Sequence, residues 1–426
     1  MPTTEKPAPQ SRFHRLKETL LLVLLVLVVL LLIERAGNEA TSLHENGAAA
    51  AKGSFVKLPL TASQVDELHQ MVKHLSYKQL ARLYVSRMTL DEELGQLFMV
   101  QNNYSQYSAG LQQTITQFHI GGVILFQWQM QTLDQTRHDI AEMQQHATFP
   151  LLISTDEEGG TADRLSNMYP ARPGATQIAE AGKVQFAAHE GAQTAHDLLS
   201  VGINADIAPV VDVALVDGPD QAWRTFGSTP QQVITYAGAY LNALQQAGVI
   251  GTLKHYPGLG AAQVDAHFAL PLINRSTEQI NAVELAPYKA FLQSNNPYLH
   301  PGMIMTTDLL MPAFDPVMPA ELSSTLITKI LRQQLGYDGV VVTDSLFMAG
   351  IYPRWSFPQA VVLAIKAGDD VIVGASGVGE MTANFAALKQ ALKDGTLTKE
   401  RIDESVIRIL ALKMQYHLMP AAPPQT

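Results

Sequence analysis

The sequence of 426 residues contains no cysteine. Disulfides, thiol nucleophiles, thiolate metal sites and a lipid-modified N-terminal cysteine are therefore excluded. Basic side chains are also in the minority, with 29 lysines and arginines against 39 aspartates and glutamates, which gives a formal net charge of −10. Because an acidic surface repels phosphate backbones, we expect no nucleic-acid partner.

Long hydrophobic runs are scarce, and the conspicuous one covers residues 20–33 near the N-terminus. It follows a basic stretch, which is the pattern of a secretory signal, but it is shorter than the roughly 17–25 residues of a full membrane span. We expect an uncleaved signal-anchor over residues 19–36, with the short basic segment 1–18 in the cytoplasm. The alternative is a cleaved signal peptide. Both interpretations place the rest of the chain outside the cytoplasm, and the first associates it with the membrane.

Composition then divides the remaining chain into a linker, a large domain and a tail. Residues 37–61 are small, polar and rich in alanine and glycine, which predicts a flexible linker. Residues 62–417 contain enough apolar sequence for one catalytic domain, and residues 418–426 read as a frayed tail. Within the domain, Thr89–Glu92 has the spacing of a capping box and predicts a helix start.

Short apolar runs bounded by turn residues recur through the domain and alternate with helical patterns. Continuous apolar strands that alternate with helices favour a parallel sheet, and eight such units favour a (β/α)₈ TIM-type barrel. No glycine-rich dinucleotide-binding pattern follows the first run. The predicted strands are Leu97–Val100, Gly122–Phe126, Leu151–Thr155, Ala205–Val210, Gly251–His255, Met303–Thr307, Val340–Thr343 and Asp370–Gly374.

Ionisable side chains end or directly follow several of these predicted strands, at the face where barrel enzymes collect their chemistry. The residues are Asp156, Lys254, His255, Asp308 and Asp344. Charges at the mouth of an apolar barrel are costly unless they are paired or used. One such residue is readily explained as a helix cap, but a repeated pattern favours an active site.

Two further features suit the needs of glycoside cleavage with retention, a reaction that requires a nucleophile and a proton donor. Asp344 at a rigid strand end suits the nucleophile. Asp265 and His267 stand two residues apart in a loop of small residues. An aspartate so placed accepts the imidazole N–H and fixes the histidine tautomer. By itself this triplet is a weak signal, because most Asp-x-His triplets are ordinary loop residues.

The order and spacing of these motifs resemble glycoside hydrolase family 3, and in particular its single-domain bacterial β-N-acetylglucosaminidases. The resemblance covers roughly residues 88–415. It includes STDEEGGTADRL, similar to the family's D-x-E-G-G-x-x-x-R, and KHYPGLGAAQVDAHFALP, similar to K-H-F-P-G-x-G-x-x-x-x-D-x-H-x-x-x-P with identical spacing. GYDGVVVTDSLFM resembles the strand that carries the nucleophile.

The resemblance implies a β-N-acetylhexosaminidase that retains anomeric configuration and acts on a carbohydrate substrate without a metal or cofactor. It implies Asp344 as nucleophile and His267 as acid/base, oriented by Asp265. It also implies a sugar-binding set formed by Asp156, Arg164, Arg224, Lys254 and His255. Neither the oligomeric state nor the natural aglycone follows from it.

The chain departs from the family pattern at five positions around the expected site. None is a proposed catalytic group, so they bear on substrate identity rather than on reaction type. They are Thr161 for a frequent Arg, Leu259 for a frequent His, Ala261 for a common Asp, Asp308 for a frequent His and Ser345 for a common Asp.

Four alternatives stay open at this point. Lys254 at a strand end suits a Schiff-base enzyme such as an aldolase. A metal site would draw on His255, His267, Asp308 and Asp156, although their spacing matches no common ligand pattern. The third alternative is a glycan-binding barrel without turnover. The fourth is a β-glycoside phosphorylase, because a histidine acid/base does not repel a phosphate acceptor.

Overall fold

The computed structural model describes residues 75–218 and 223–420. The predicted basic segment 1–18, the signal-anchor or signal peptide at 19–36 and the linker at 37–61 lie outside the described residues. In the described ranges, no helix is long and apolar enough to cross a membrane. Residues Tyr84–Met419 form one compact unit.

Eight parallel strands close into a barrel in chain order, and pairing of β8 with β1 completes the ring. The predicted (β/α)₈ architecture is therefore confirmed. The strands are β1 Phe98–Gln101, β2 Gly122–Ile124, β3 Leu152–Thr155, β4 Ala205–Asp206, β5 Ile250–Tyr256, β6 Met303–Thr306, β7 Val340–Ser345 and β8 Val371–Val373.

Two strand boundaries differ from the prediction in ways that bear on the site. β4 ends at Asp206 rather than at Val210, and Pro209 just beyond it has no N–H to offer a ladder. β7 continues to Ser345, so the strand itself carries Asp344. The register between β7 and β8 shifts between Val342 and Ser345, and such an irregularity re-aims side chains at a barrel rim.

Helix α1 is Tyr77–Val85. The helices that follow it alternate with the strands and cover the barrel. They are α2 Leu90–Gln96, α3 Ala109–Phe118, α4 Leu133–His146, α5 Ala175–Glu180, α6 Val184–Val201, α7 Pro230–Gln246, α8 Thr277–Ala282, α9 Ala286–Leu292, a π-helix Thr325–Gln334, α10 Phe357–Ala367, α11 Gly377–Lys393 and α12 Lys399–Gln415. Short 3₁₀ turns occupy Gln127–Gln129, Pro297–Leu299 and Ala320–Leu322.

Local sequence explains how several of these helices begin and end. The predicted capping box is present, with the Glu92 N–H donating to Thr89 Oγ1 at 3.2 Å and the Thr89 N–H donating to Glu92 Oε2 at 2.7 Å. Residues 277–292 form two helices, α8 and α9, because Pro287 in the first turn of α9 cannot continue a preceding helix.

The strand interiors form the core, and the chemistry lies at one end of it. Every residue of β2, β3, β5, β6 and β8 is buried. All eight strands run in the same direction, so their carboxyl ends share one mouth. The polar residues expected after β3, β5, β6 and β7 therefore surround the same opening.

Candidate active site

A buried lysine forms the centre of the site. Lys254 lies within β5 and is 1% exposed. Its Nζ donates to Asp156 Oδ1 at 2.8 Å and lies 2.5 Å from Glu158 Oε1. Burial alone would lower the pKa of Lys254, but the two carboxylates outweigh burial and raise it. Lys254 is therefore a fixed positive charge that joins β5 to the loop after β3.

Glu158 extends this network to an arginine on the loop after β4. Arg224 donates to Glu158 through Nε at 2.8 Å and through Nη2 at 2.9 Å, a bidentate pairing. Burial raises the pKa of the Glu158 carboxyl, but Lys254 and Arg224 together hold it well below its usual range. A carboxylate shared by two cations keeps both cations in place at the mouth.

His255 continues the network on the other side of Arg224. Its Nε2 lies 3.4 Å from Arg224 Nη2, and its Nδ1 lies 2.7 Å from Asp212 Oδ2. Asp212 also accepts from the Leu259 N–H at 2.8 Å. The aspartate thus holds the imidazole and the following loop in one arrangement. The peptide between Lys254 and His255 is cis.

The Asp265–His267 pair forms a separate unit on the loop after β5. His267 Nδ1 lies 2.8 Å from Asp265 Oδ1, and the same oxygen accepts the His267 N–H at 2.8 Å. The His267 side chain is 65% exposed. Burial raises the pKa of Asp265, but the hydrogen bonds from His267 outweigh it and lower that pKa. The imidazole is thus oriented through one nitrogen and exposed to solvent.

Asp344 completes the set at the end of β7. Its Oδ2 accepts from the Thr307 hydroxyl at 3.2 Å, and its Oδ1 accepts from the Ser345 N–H at 2.8 Å. Thr307 follows β6, so a hydroxyl of the neighbouring strand end fixes the carboxylate. A carboxylate held through both oxygens on a rigid strand keeps one orientation.

Arg164 lies against an aromatic ring rather than against the acidic residues of the site. Its guanidinium carbon lies 6.0 Å from the ring centroid of Phe126, after β2. Its Nε is buried and has no hydrogen-bond partner among residues 75–218 and 223–420. Arg164 thus lies on the loop after β3, apart from the network of Lys254 and Arg224.

Two of the five departures from the family pattern are buried rather than open to the mouth. Asp308 is fully buried, and its Oδ2 accepts from the Gly350 N–H at 3.0 Å. It thereby ties the end of β6 to the loop after β7. Leu259 is 2% exposed and anchored by Asp212. Both side chains therefore support the wall of the site without being exposed at its surface.

Sequence reasoning assigned no role to three residues that hold the site together: Glu158, Asp212 and Thr307. Glu158 is the second acid of the D-x-E-G-G pattern, and this position was the available signal. Asp212 ends an apolar run after the fourth predicted strand, as the other acids do. No pattern marked Thr307, because pairing of its hydroxyl depends on how β6 and β7 meet.

The geometry also bears on two alternative interpretations, a Schiff-base enzyme and a metal site. A Schiff-base lysine must lose its proton readily, whereas Lys254 is paired with two carboxylates and has a raised pKa. The four residues suggested as metal ligands do not converge: Asp156, His255 and His267 are each held by a different partner. No group of three metal-ligating side chains is arranged to hold an ion in the described part of the chain.

Comparisons with known proteins identify the family to which this geometry corresponds. Residues 89–412 match the model of the glycosyl hydrolase family 3 N terminal domain. Beta-hexosaminidase A of Pseudoalteromonas piscicida is 31% identical over 71% of this chain. Beta-hexosaminidase LpqI of Mycobacterium tuberculosis is 32% identical over 72% of this chain and is covered over 79% of its own length.

A solved structure gives the same result at the level of fold. The family 3 β-N-acetylglucosaminidase of a Paenibacillus species superposes with a TM-score of 0.74 at 36% identity over 78% of this chain. The present chain spans 63% of that structure and 54% of the Pseudoalteromonas relative. The shared part is therefore the barrel, while both relatives have additional sequence.

Proposed function

Because the chain belongs to glycosyl hydrolase family 3, we propose that it is a retaining β-N-acetylhexosaminidase. Its substrates would be cell-wall fragments, chitin oligomers or related glycosides with a terminal β-linked N-acetylglucosamine. The observation that carries the proposal is the Asp265–His267 pair, with Nδ1 bound at 2.8 Å. The relatives named β-hexosaminidase and β-N-acetylglucosaminidase support the choice of an N-acetylated sugar.

In the first step, Asp344 attacks the anomeric carbon and the bond to the leaving oxygen breaks. His267, as imidazolium, gives its Nε2 proton to that oxygen while Asp265 holds Nδ1–H. The carboxylate stabilises the imidazolium and fixes its orientation. The products are the free aglycone and a glycosyl ester on Asp344.

In the second step, water attacks the anomeric carbon of the ester. Neutral His267 accepts the water proton at Nε2, the bond to Asp344 breaks, and the carboxylate is restored. Two inversions leave the sugar in its original β configuration. The exposure of His267 at 65% gives water access to the base after the aglycone leaves.

The network around Lys254 would bind the terminal sugar. Asp156 has acceptor capacity beyond its bond to Lys254, because only one of its oxygens is engaged there. Arg224 and His255 lie side by side and offer further polar groups. Glu158 holds Arg224 in place, and Asp212 holds His255. Both side chains would therefore bind hydroxyls without being ordered first, and the binding energy would serve to position the sugar. Arg164 would donate to the sugar from the loop after β3, which also carries Asp156.

We also propose that the enzyme acts outside the cytoplasm, anchored by residues 19–36 or released after cleavage there. The basic stretch followed by the apolar run 20–33 supports this location. Cell-wall fragments are found on that side of the membrane.

Product analysis tests the proposed function. Incubation with chitobiose or a muramyl disaccharide should release N-acetylglucosamine, first as the β anomer, at the same rate in phosphate and phosphate-free buffer. N-acetylglucosamine 1-phosphate as the main product would instead identify a phosphorylase. Tight binding of the sugars without any release would identify a glycan-binding barrel.

A further inference from the structure

A short turn after β6 places a glutamate next to the proposed nucleophile. Glu321 lies in the 3₁₀ turn Ala320–Leu322. Its N–H donates to the Thr307 carbonyl at 3.2 Å, and the Ala320 N–H donates to the Leu309 carbonyl at 2.8 Å. The turn is thus bonded to the segment that leaves β6, the same segment whose Thr307 hydroxyl binds Asp344.

The Glu321 carboxyl is fully buried among other acids. Its exposed fraction is 0%, and neither oxygen has a hydrogen-bond partner among the described residues. The charged groups that act on it most strongly are Asp308 after β6, Asp344 in β7 and Asp369 before β8. All three are acidic. An unpaired buried polar group is costly, so a structural role alone gives little reason for a glutamate here.

We propose that Glu321 is a positioning residue for Asp344 and helps, from the turn after β6, to hold the carboxylate of the nucleophile in place. This inference rests on the proposed function. Thr307 connects the two residues, since its carbonyl accepts the Glu321 N–H and its hydroxyl donates to Asp344. Glu321 is therefore bonded to one of the two supports of the nucleophile, Thr307.

The charge state of Glu321 decides how it affects Asp344. Burial, followed by Asp308, Asp344 and Asp369, raises the pKa of Glu321 well above its usual range. A protonated Glu321 adds no negative charge beside the nucleophile. Loss of its proton would place a buried anion beside the Asp344 carboxylate. The repulsion would push that carboxylate away from the Thr307 hydroxyl and out of line for attack.

The variant Glu321→Gln tests this role, because glutamine has the same shape as a protonated glutamate and cannot ionise. We would measure kcat/KM against pH with a dinitrophenyl N-acetyl-β-glucosaminide. Its leaving group needs no proton, so the acid role of His267 does not limit the first step. We expect kcat/KM within about threefold of wild type at neutral pH. We also expect the alkaline decline to move up by at least about one pH unit or disappear.

Two further variants separate positioning from structure. Glu93→Gln removes another buried glutamate whose pKa is raised by burial, but Glu93 lies on α2, before β1 and away from the mouth. It should leave the pH profile unchanged. Glu321→Ala should lower kcat by about tenfold or more with KM within about twofold, and Glu321→Gln should not.

Three results of these measurements would count against the positioning role of Glu321 or the proposed function. Superimposed pH profiles of wild type and Glu321→Gln, with both proteins folded by circular dichroism, would overturn the positioning role alone. A decline that moves to higher pH in both Glu321→Gln and Glu93→Gln would also overturn it, because the effect would then belong to buried glutamates in general. Absence of wild-type turnover at every pH would overturn the proposed function as well.

Discussion

At the scale of single residues, the site is built from charges whose partners are fixed by the fold. Lys254 and Asp156 are separated by 98 positions in the chain, and their contact at 2.8 Å exists only because β3 and β5 end at one mouth. The charge of the buried Lys254 is compensated by two carboxylates. Its side chain is therefore suited to orienting those carboxylates rather than to acting as a nucleophile. Removing either partner would leave an uncompensated charge, which is costly in a buried site.

His267 carries the most specific prediction at this scale. His267→Ala should reduce kcat/KM by about 10²- to 10⁴-fold for substrates with poor leaving groups, because these need a proton on the departing oxygen. For a dinitrophenyl glycoside the loss should be far smaller. The measurement is kcat/KM across aryl glycosides of graded leaving-group pKa. Equal losses across the series would contradict an acid role.

Spacing along the chain predicted only the contact between residues that are close in sequence. Asp265 and His267 are two residues apart, and the structure shows the hydrogen bond that this spacing allows. The pairings of Glu158 with Arg224 and of Asp212 with His255 join different strands, so no spacing rule could specify them. Arg164 stays a prediction of the sugar-binding set, and its position over the ring of Phe126 is a further contact between loops that spacing does not specify.

At the scale of elements, the predicted strands and the alternating helices are present, since apolar runs and helical periodicity are local signals. Details within the helices have local causes that compete with periodicity. Pro287 separates α8 from α9, and the helix over Thr325–Gln334 has i→i−5 hydrogen bonds such as Leu335 N–H to the Ile330 carbonyl at 2.8 Å. Such π-winding has no simple sequence signature.

Asp370 shows how the elements are joined away from the mouth. It lies just before β8, is fully buried, and accepts from Arg332 of the π-helix at 2.6 Å. Arg401 and Arg408 of α12 contact its other oxygen at 3.2 and 3.3 Å. Burial would raise the pKa of Asp370, but the three arginines outweigh it and lower that pKa to about 2.

This ion cluster predicts an acid dependence of stability. A carboxyl pKa lowered in the folded state stabilises the protein above the unfolded pKa of 3.8, and the contribution is lost as pH falls toward about 2. Such a displacement corresponds to about 2 kcal/mol. Asp370→Asn should therefore lower the free energy of unfolding at neutral pH and weaken its fall between about pH 4 and 2.

Urea unfolding at several pH values measures this effect. Asp91→Asn is a matched control, because Asp91 forms an exposed pair with Lys389 and should contribute less than about 1 kcal/mol. An Asp370→Asn variant as stable as wild type at neutral pH would contradict the proposed joining of α12 and the π-helix to β8.

At the scale of the whole molecule, the barrel and the family match coincide. The matched residues 89–412 begin at the cap of α2 and end within α12, so they include all eight strands. The closed barrel was predictable because eight repeated strand–helix units leave few ways to bury their apolar faces. The cluster of buried acids around Glu321 was not predictable, because a lone glutamate between loop residues gives no signal of burial.

The central claim is that Asp344 forms a covalent bond to the sugar, and trapping that bond tests it most directly. A fluorinated N-acetylglucosaminyl fluoride forms the glycosyl ester faster than the ester hydrolyses, so one sugar should remain on the protein. Mass spectrometry of its peptides should place that sugar on Asp344, and Asp344→Asn should remain unlabelled. A label on another carboxylate, or rapid turnover with no label on any peptide, would contradict the assignment.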